Sequence, residues 1–247
     1  MFLGIDHLVI AVPDPDVAAD ALTAALGLTA GGGGRHDRLG TFNRLVWLGD
    51  SYLELIGVFD ADLARASWVG RPTVDALEAG GGLATWAIAT DAIDRDVARL
   101  RETGSDLAPP IAGQRLRPDR GIVRWRLAAS PSLAPHAPPF LIEHDPASAE
   151  WTAEDRAARA IEAVRLTALE IGVDDVAGTT RRYLATLDLR FRPSLRGGGA
   201  RDADIGQQIV RIRPRSAAGP STTVHLALPG RAKVEADLLG CRWIVSS

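Results

Sequence analysis

Residues 33–57 read GGRHDRLGTFNRLVWLGDSYLELIG, and this stretch decides the fold. It contains two runs typical of β-strands, TFNRLVWL and SYLELIG, and Gly49 and Asp50 between them predict a tight hairpin turn. The second run carries Glu54 at its centre. A buried carboxylate is costly unless it is hydrogen-bonded, paired, protonated or bound to a metal, so Glu54 either faces solvent or has a partner.

The residues before this hairpin add a strand and a helix. Residues 5–12, IDHLVIAV, are rich in β-branched residues, and PDPD follows as a turn and helix cap. From Val17 to Leu26 the apolar residues recur at helical spacing, and Gly27 is placed to end the helix. The unit is therefore β-α-loop-β-β, with room for one more short strand around residues 29–36.

The same order of elements recurs further along the chain. A second strand, helix and glycine stop run from Ala84 onward, and later strands include FLIEH. In this alignment Trp86 corresponds to His7 and Glu143 corresponds to Glu54. Because two acids occupy equivalent positions of a repeat, a shared role for them is favoured over chance.

A third, degenerate copy begins at Leu166 and repeats the glycine loop as GGARDADIG. It has Ala168 at the position of His7 and His225 at the position of Glu54. The predicted fold class is α+β, built of repeated βαβββ modules. The predicted modules are 1–79, 80–150 and 160–247, the third being degenerate.

Composition limits the partners of the protein. A chain of 247 residues that is 46% hydrophobic can bury a substantial core, and a net charge of −3 gives no reason to expect a nucleic-acid partner. Cys241 is the only cysteine, so no intramolecular disulfide can form. No apolar run approaches the roughly 18 residues that span a bilayer, and no leader peptide is evident, so a cytoplasmic protein without a membrane partner is expected.

The segment around the hairpin resembles a known family. The pattern H-x-x-x-G-T-x-N-x-L, from His36 to Leu45, precedes the strand YLEL, as is typical of the glyoxalase-like domain family of the vicinal oxygen chelate superfamily. This superfamily includes glyoxalases, bleomycin-resistance proteins and extradiol dioxygenases. The resemblance covers residues 3–145 and, more weakly, the third copy. It implies that the first two modules, 1–79 and 80–150, pair so that their curved mixed sheets form a cup around a divalent metal.

Carried onto this sequence, the resemblance implies a metal site and a catalytic site. The metal ligands would be His7, Glu54 and Glu143, with Trp86, which cannot ligate a metal, at the fourth position. One imidazole and two carboxylates suit Zn, Mn, Fe, Ni or Co, with open positions for substrate oxygens. Glu54 and Glu143 would also be the catalytic residues, because a carboxylate that loosens from the metal can act as a base.

Substrate contacts are expected from His36, Thr41, Asn43 and Trp86. His36 belongs to the family motif, Thr41 and Asn43 share one strand face, and Trp86 could form the floor under a bound ring. Alternatives remain open: His7 as a core residue, the glutamates paired with arginines, and the polar strand residues satisfied locally. By strand alternation, His144 should face away from the site.

Two functions of different classes follow. The first is a metal-dependent lyase, isomerase or dioxygenase acting on a small organic substrate through its neighbouring oxygens. The second is a metal-free binding protein that sequesters a small molecule in the same cup. Because modules of this type work in pairs, the unpaired third module suggests a homodimer.

Overall fold

The computed structural model describes residues 2–116, 121–132, 136–148 and 164–247. The predicted boundaries at 150 and 160 lie outside the described residues. The helices are α1 Pro15–Leu26, α2 Ala61–Arg65, α3 Gly70–Glu78, α4 Ile93–Glu102 and α5 Val176–Leu187, with a 3₁₀ turn at Pro146–Ser148. The strands are β1 Gly4–Ala11, β2 Gly34–His36, β3 Thr41–Leu48, β4 Ser51–Val58, β5 Gly82–Ala89, β6 Ile111–Leu116, β7 Ile122–Ala128, β8 Phe140–His144, β9 Arg165–Val173, β10 Arg192–Pro193, β11 Arg201–Ile205, β12 Gln208–Pro214, β13 Thr222–Ala227, β14 Val234–Leu238 and β15 Cys241–Ser246.

Within the described residues, the strands form an eight-stranded and a seven-stranded sheet. The first sheet has the order β2-β3-β4-β1-β5-β8-β7-β6. Strands β1 and β5 are antiparallel neighbours at its centre, while β4 runs parallel to β1 and β8 runs parallel to β5. The first two modules therefore join through their first strands, and the predicted α+β fold of paired modules is confirmed. None of the described helices is long and apolar enough to cross a lipid bilayer.

Local sequence signals account for the first module. Asp14 caps α1 by accepting hydrogen bonds from the backbone of Asp16 and Val17, and Pro15 fits the first turn because it has no N–H to satisfy. Gly27 ends the helix with φ of 71°, a left-handed conformation that favours glycine. The hairpin turn between β3 and β4 falls at Gly49 and Asp50, as the sequence predicts.

The two faces of the first sheet have different surroundings. Leu8 and Ile10 of β1 point into the main hydrophobic core, which also contains apolar residues of α1, α4, α5 and the second sheet. Val9 lies on the opposite face, where it packs with Ile56 and Val69. This opposite face lines the cup and carries the candidate site, while the main core lies behind the sheet.

A β-bulge in β1 changes the face of two residues. The pairing of β1 with β5 shifts register between Ile5 and His7. Ile5 therefore joins the main core, although strict alternation would put it on the same face as His7. The extra residue, Asp6, turns towards the cup beside His7, as a bulge allows when it re-aims a side chain.

The second sheet has the order β10-β11-β12-β9-β13-β15-β14, which repeats the order of the first sheet strand for strand. Among the described residues, β6 alone has no counterpart in the second sheet. Strand β12, not β13, lies parallel to β9 in the way that β4 lies parallel to β1. Strands β9 to β12 therefore repeat the order of β1 to β4. Arg211 pairs with Glu170 as Glu54 pairs with Val9, so Arg211, not His225, occupies the position of Glu54.

Candidate active site

Asp6, His7 and His144 form a hydrogen-bonded group at the floor of the cup. Asp6 Oδ1 lies 2.6 Å from His7 Nδ1 and 3.1 Å from His144 Nε2, and Asp6 is only 8% exposed. Burial alone would raise the pKa of the Asp6 carboxyl, but the two histidines, with His144 the stronger, lower it far below its usual range by charge and hydrogen bonding. Asp6 is therefore ionised, and an ionised carboxylate only accepts, so both imidazoles donate to it.

The other ring nitrogen of His7 faces Glu54. His7 Nε2 and Glu54 Oε2 are 3.7 Å apart, which is too long for a direct hydrogen bond. Asn43 holds Glu54 in place: its Nδ2 donates to Glu54 Oε1 at 2.5 Å, while its Oδ1 accepts from the backbone of Gly34 at 2.9 Å. The His7 ring is clamped between Tyr52, stacked at 4.5 Å between centroids, and the edge of the Phe140 ring at 5.4 Å.

These polar groups open onto a cavity of about 450 Å³, which is the size of a small-ligand pocket. Its walls are mostly apolar and aromatic, and Trp68 meets Phe140 edge to face at 4.9 Å. The apolar and aromatic residues that line it include Leu39, Leu45, Trp47, Trp68, Val69, Val123, Trp125, Leu127, Phe140 and Ile142. The cavity therefore combines an apolar wall with one polar, ionisable floor.

Arg115 and His36 stand together at the cavity rim. Arg115, on edge strand β6, donates from Nη1 to the backbone oxygen of Gly33 at 2.9 Å and so joins the two edges of the first sheet. His36 Nδ1 lies 3.0 Å from Thr41 Oγ1. Burial lowers the pKa of His36, Glu54 partly opposes this, and the charge of Arg115 lowers it further, so His36 is neutral at neutral pH.

Of the expected substrate contacts, the structure places His36 and Asn43 in the cavity lining. Thr41 is fully buried behind them, where its hydroxyl positions His36. Trp86 is on the wrong face: it is 2% exposed and packs in the main core against Tyr183 of α5. In the antiparallel pair of β1 and β5, Leu8 pairs with Trp86, and these two residues are equivalent in their modules. The residue equivalent to His7, one position before Leu8, is therefore Thr85. The predicted alignment slipped by one residue, which reverses the face of a strand residue.

A similar error exchanged the roles of Glu143 and His144. Phe140 and Ile142 face the cup, and alternation directs the Glu143 carboxylate away from His7: Glu143 lies at the edge of the cavity lining, and its Oε2 accepts from the backbone N–H of Ile93 at 3.3 Å. It thereby supplies the cap that the start of α4 otherwise lacks. His144, predicted to face away, instead bonds Asp6. In register, the residue equivalent to Glu54 is Phe140, because Phe140 pairs with Ala87 as Glu54 pairs with Val9.

The sequence profile of the family described as glyoxalase-like domain matches residues 5–187. The chain belongs to this glyoxalase-like domain family. A hypothetical protein from Staphylococcus aureus has the same fold over the whole length, with a TM-score of 0.79, 16% identity, and coverage of 98% of this chain and 99% of that one. The match to that protein shows that both sheets belong to one recurring architecture. Among curated proteins, none matches the chain.

Two methylmalonyl-CoA epimerases match part of the chain. The enzyme from Mycobacterium tuberculosis is 21% identical over 58% of this chain and 87% of its own, with a TM-score of 0.43. A variant of the Streptomyces coelicolor enzyme, solved with 2-nitronate-propionyl-CoA, is 20% identical over 58% of this chain and 97% of its own, with a TM-score of 0.42. Both belong to the vicinal oxygen chelate superfamily.

Members of this superfamily often use a divalent metal, so we tested whether the side chains of this chain fit one. The structure brings His7 and Glu54 together but turns Glu143 away from them, and the equivalent positions of the second module hold Thr85 and Phe140. Across the described part of the chain, no three or more His, Cys, Asp or Glu side chains are grouped to hold a metal ion. The donor set does not fit a metal held by three protein ligands, and no step below involves one.

Sequence reasoning missed three polar groups of the site. Asp6 was hidden by the bulge, His144 by the register error, and Arg115 by its place on an edge strand with no motif. The adjacent pair Asp6-His7 was the one available signal, since neighbours in a regular strand face opposite ways and only a bulge brings both to one site.

Proposed function

We propose that this protein is an enzyme that transfers a proton on a small, oxygen-bearing organic substrate, as an isomerase or a lyase. The observation that carries the proposal is the chain of contacts from Asp6 through His7 to Glu54, which ends at an apolar cavity. Ionisable groups that are buried, oriented and gathered at the floor of one pocket are typical of acid–base catalysis.

Asp6 sets the tautomer of His7 in this mechanism. The ionised Asp6 accepts from Nδ1–H of His7, so the neutral imidazole has its lone pair on Nε2, which points to Glu54. Tyr52 and Phe140 fix the plane of the ring. His7 Nε2 is therefore an oriented proton acceptor, and Asp6 stabilises the imidazolium that forms when the proton arrives.

Glu54 is the second acid–base group. The distance of 3.7 Å between Glu54 Oε2 and His7 Nε2 is too long for a direct hydrogen bond, so a substrate C–H or O–H can approach both atoms from the cavity. His7 Nε2 removes a proton from the carbon next to a carbonyl, and the imidazolium that forms returns this proton to a neighbouring atom of the substrate, either directly or after passing it to Glu54 Oε2. Asn43 keeps the Glu54 carboxylate aimed during this exchange.

The substrate oxygen would lie towards the rim. Removing a proton next to a carbonyl places negative charge on its oxygen, and a fixed positive charge lowers the barrier. Arg115 supplies such a charge at the cavity, and neutral His36 can donate a hydrogen bond from its ring. The aromatic walls would hold the apolar part of the substrate and exclude water from the reacting atoms.

The test is proton exchange in deuterium oxide, followed by NMR, over a panel of aryl ketones, 2-oxo acids and aryl-substituted aldehydes. We expect the parent protein to speed exchange at the carbon next to the carbonyl for at least one class. His7→Gln and Glu54→Gln should each reduce the rate by about 10²- to 10⁴-fold. Glu102→Gln, an exposed acid on α4, is the matched control and should retain the parent rate.

A metal-free binding protein is the second candidate, and the aromatic wall formed by Trp68, Trp125 and Phe140 favours it. Such a wall can sequester a ring without any chemistry. The two functions separate in one experiment: a sequestering protein binds members of the panel, shows no exchange, and keeps its affinity in His7→Gln and Glu54→Gln.

A further inference from the structure

The bulge that places Asp6 in the cup begins at a residue that precedes the pairing of β1 with β4. The register of β1 with β5 shifts between Ile5 and His7, and the ladder of β1 with β4 begins at His7. Ile5 is buried, and its backbone N–H and C=O lie before that ladder. A buried backbone group without a partner is costly, so these two groups need partners from elsewhere in the chain.

Two side chains supply these partners. Gln208 Oε1 accepts from the backbone N–H of Ile5 at 2.9 Å, and the hydroxyl of Ser51 donates to the backbone oxygen of Ile5 at 2.6 Å. Gln208 Nε2 in turn donates to the hydroxyl of Ser51 at 3.1 Å. These three hydrogen bonds close a ring around Ile5, and we name Gln208 and Ser51 the bulge clamp.

The second sheet approaches β1 closely at the bulge clamp. Gln208 is the first residue of β12, and the turn that joins β11 to β12 begins at Gly206. Gly206 has φ of 58°, and a Cβ there would lie 2.1 Å from the backbone oxygen of Leu3. A Cβ on Gly4 would lie 2.7 Å from Gln208 Oε1. Glycine at these two positions therefore lets the turn lie against β1, with the Gln208 amide in reach of Ile5.

The bulge clamp is one residue away from the acid–base pair. Asp6 directly follows Ile5, and its carboxylate sets the tautomer of His7 through the 2.6 Å contact with Nδ1. In a regular strand, Asp6 and His7 would face opposite sides of the sheet, and the bulge brings both to the cup. The described residues that line the cavity include neither Gln208 nor Ser51. The bulge clamp therefore contacts the backbone that carries the site and not the space that a ligand occupies.

We propose that Gln208 and Ser51 are positioning residues, which hold the bulge of β1 and thereby keep the Asp6 carboxylate against His7. This inference rests on the proposed function for the importance of that contact in catalysis. It also gives the second sheet a role in the site of the first sheet, because Gln208 reaches across from β12.

The tautomer of His7 tests the bulge clamp without turnover. Protein labelled with ¹⁵N in histidine is measured by long-range ¹H–¹⁵N NMR at about pH 8, where an ordinary histidine is neutral. The His7 signals are identified by their absence in His7→Gln, and in the parent we expect the Nδ1-protonated tautomer. Gln208→Leu has no acceptor for the N–H of Ile5, so the bulge should relax and the His7 signals should shift towards the Nε2-protonated tautomer.

The exchange rate gives a second readout, with the substrate that the deuterium oxide panel identifies. At saturating substrate, Gln208→Leu should be about 10- to 100-fold slower than the parent with KM almost unchanged, because a base is displaced while the cavity walls stay in place. Gly4→Ala should show the same tautomer shift and slower rate, because its methyl group displaces the Gln208 amide. Gln207→Leu, at the exposed neighbouring position in the same turn, is the matched control and should retain both the tautomer and the rate.

Melting temperatures establish that each variant is folded, and Gly4→Ala provides the test if Gln208→Leu does not fold. The proposal is overturned if folded Gln208→Leu and Gly4→Ala keep the His7 signals of the parent, or if Gln207→Leu changes them equally. If the parent exchanges substrate protons and these variants retain both tautomer and rate, the bulge clamp is wrong and the proposed function stands. If the tautomer depends on Gln208 but no compound of the panel exchanges, the bulge clamp is right and the proton-transfer reaction is wrong.

Discussion

Replacing Asp6 with asparagine is the sharpest test of the site, because one carboxylate oxygen serves two imidazoles. Asp6 Oδ1 accepts from His7 Nδ1 at 2.6 Å and from His144 Nε2 at 3.1 Å, in a position that is 8% exposed. Asparagine has the same shape but no charge, and its amide nitrogen can donate. When that nitrogen donates to His7 Nδ1, the ring proton moves to Nε2, and His7 loses the lone pair that faces the cavity.

Both the rate and the stability should change. Loss of an oriented base costs about 10²- to 10⁴-fold in rate, so Asp6→Asn should exchange substrate protons almost as slowly as His7→Gln. A hydrogen bond to a charged group contributes about 1.5–3 kcal/mol, and at least one such bond is lost, so the free energy of unfolding should fall by a similar amount.

The stability loss should depend on pH with a definite sign. The pKa of Asp6 is lowered in the folded protein, so its contribution to stability is fully present above its unfolded pKa of about 3.9 and is lost as pH falls below it. Urea unfolding at pH 7 should therefore show the full difference between parent and Asp6→Asn. The difference should shrink steadily below about pH 4.

The measurements are the NMR exchange assay and urea titrations from pH 7 to pH 3. An Asp6→Asn variant that is folded and exchanges as fast as the parent would show that His7 does not need the carboxylate, and the mechanism would be wrong. A stability difference that stays constant down to pH 3 would show that Asp6 is not held ionised by its histidine partners.

Four further predictions concern the rest of the molecule. Glu54→Gln should melt near the temperature of the parent protein, because the amide oxygen still accepts from Asn43. Its loss of activity would then reflect the chemistry of the carboxylate, and a large drop in melting temperature would contradict this. Arg211→Met should lower stability by about 3–5 kcal/mol in urea, because buried Asp202 loses its ion pair and Glu170 loses the shortest of its ion pairs. A loss under about 1 kcal/mol would refute this. Burial would raise the pKa of Glu170, but His225 and Arg211 lower this pKa to about 2. The free energy of unfolding should therefore fall as pH drops from about 4.5 to 2, and in Glu170→Gln this part of the pH dependence should be absent. Elemental analysis of purified protein should find well under one transition metal per chain, and a stoichiometric metal lost on mutating Glu54 would overturn the assigned donor set.

The sequence predicts the architecture of the first module well. Strand alternation, the Asp14 cap, the glycine stop and the hairpin at Gly49 all act over a few residues, and local signals of this kind can be read without knowing the fold. The family motif adds the pairing of modules. The positions of His7, Glu54 and Asn43 in one site follow from these two sources together.

The remaining site residues could not be predicted correctly, because their positions depend on the register between strands that are distant in the sequence. Trp86 and Glu143 were each placed on the wrong face by a shift of one or a few residues in aligning the modules. The helix following each first strand gives a better anchor. Helix α1 begins at Pro15 and α4 begins at Ile93, and this offset aligns His7 with Thr85.

The second sheet has the same strand order as the first sheet but different side chains at its centre. Its strands repeat the order of the first sheet, yet the position of Glu54 holds Arg211, and the position of Val9 holds Glu170. Arg211 Nη1 bonds Glu170 at 2.6 Å, so the centre of the second sheet is closed by its own ion pair. In the first sheet, Val9 and Glu54 occupy these two positions. The Glu54 carboxylate lies 3.7 Å from His7 Nε2, which leaves the charge of Glu54 available to a ligand. Glu54→Arg with Val9→Glu should therefore close the first cup. The measurement is loss of binding of those aryl ketones and aryl-substituted aldehydes that the parent binds, in a protein that still melts cooperatively. If these compounds still bind, the charged centre of the second sheet is not what distinguishes it from the cup.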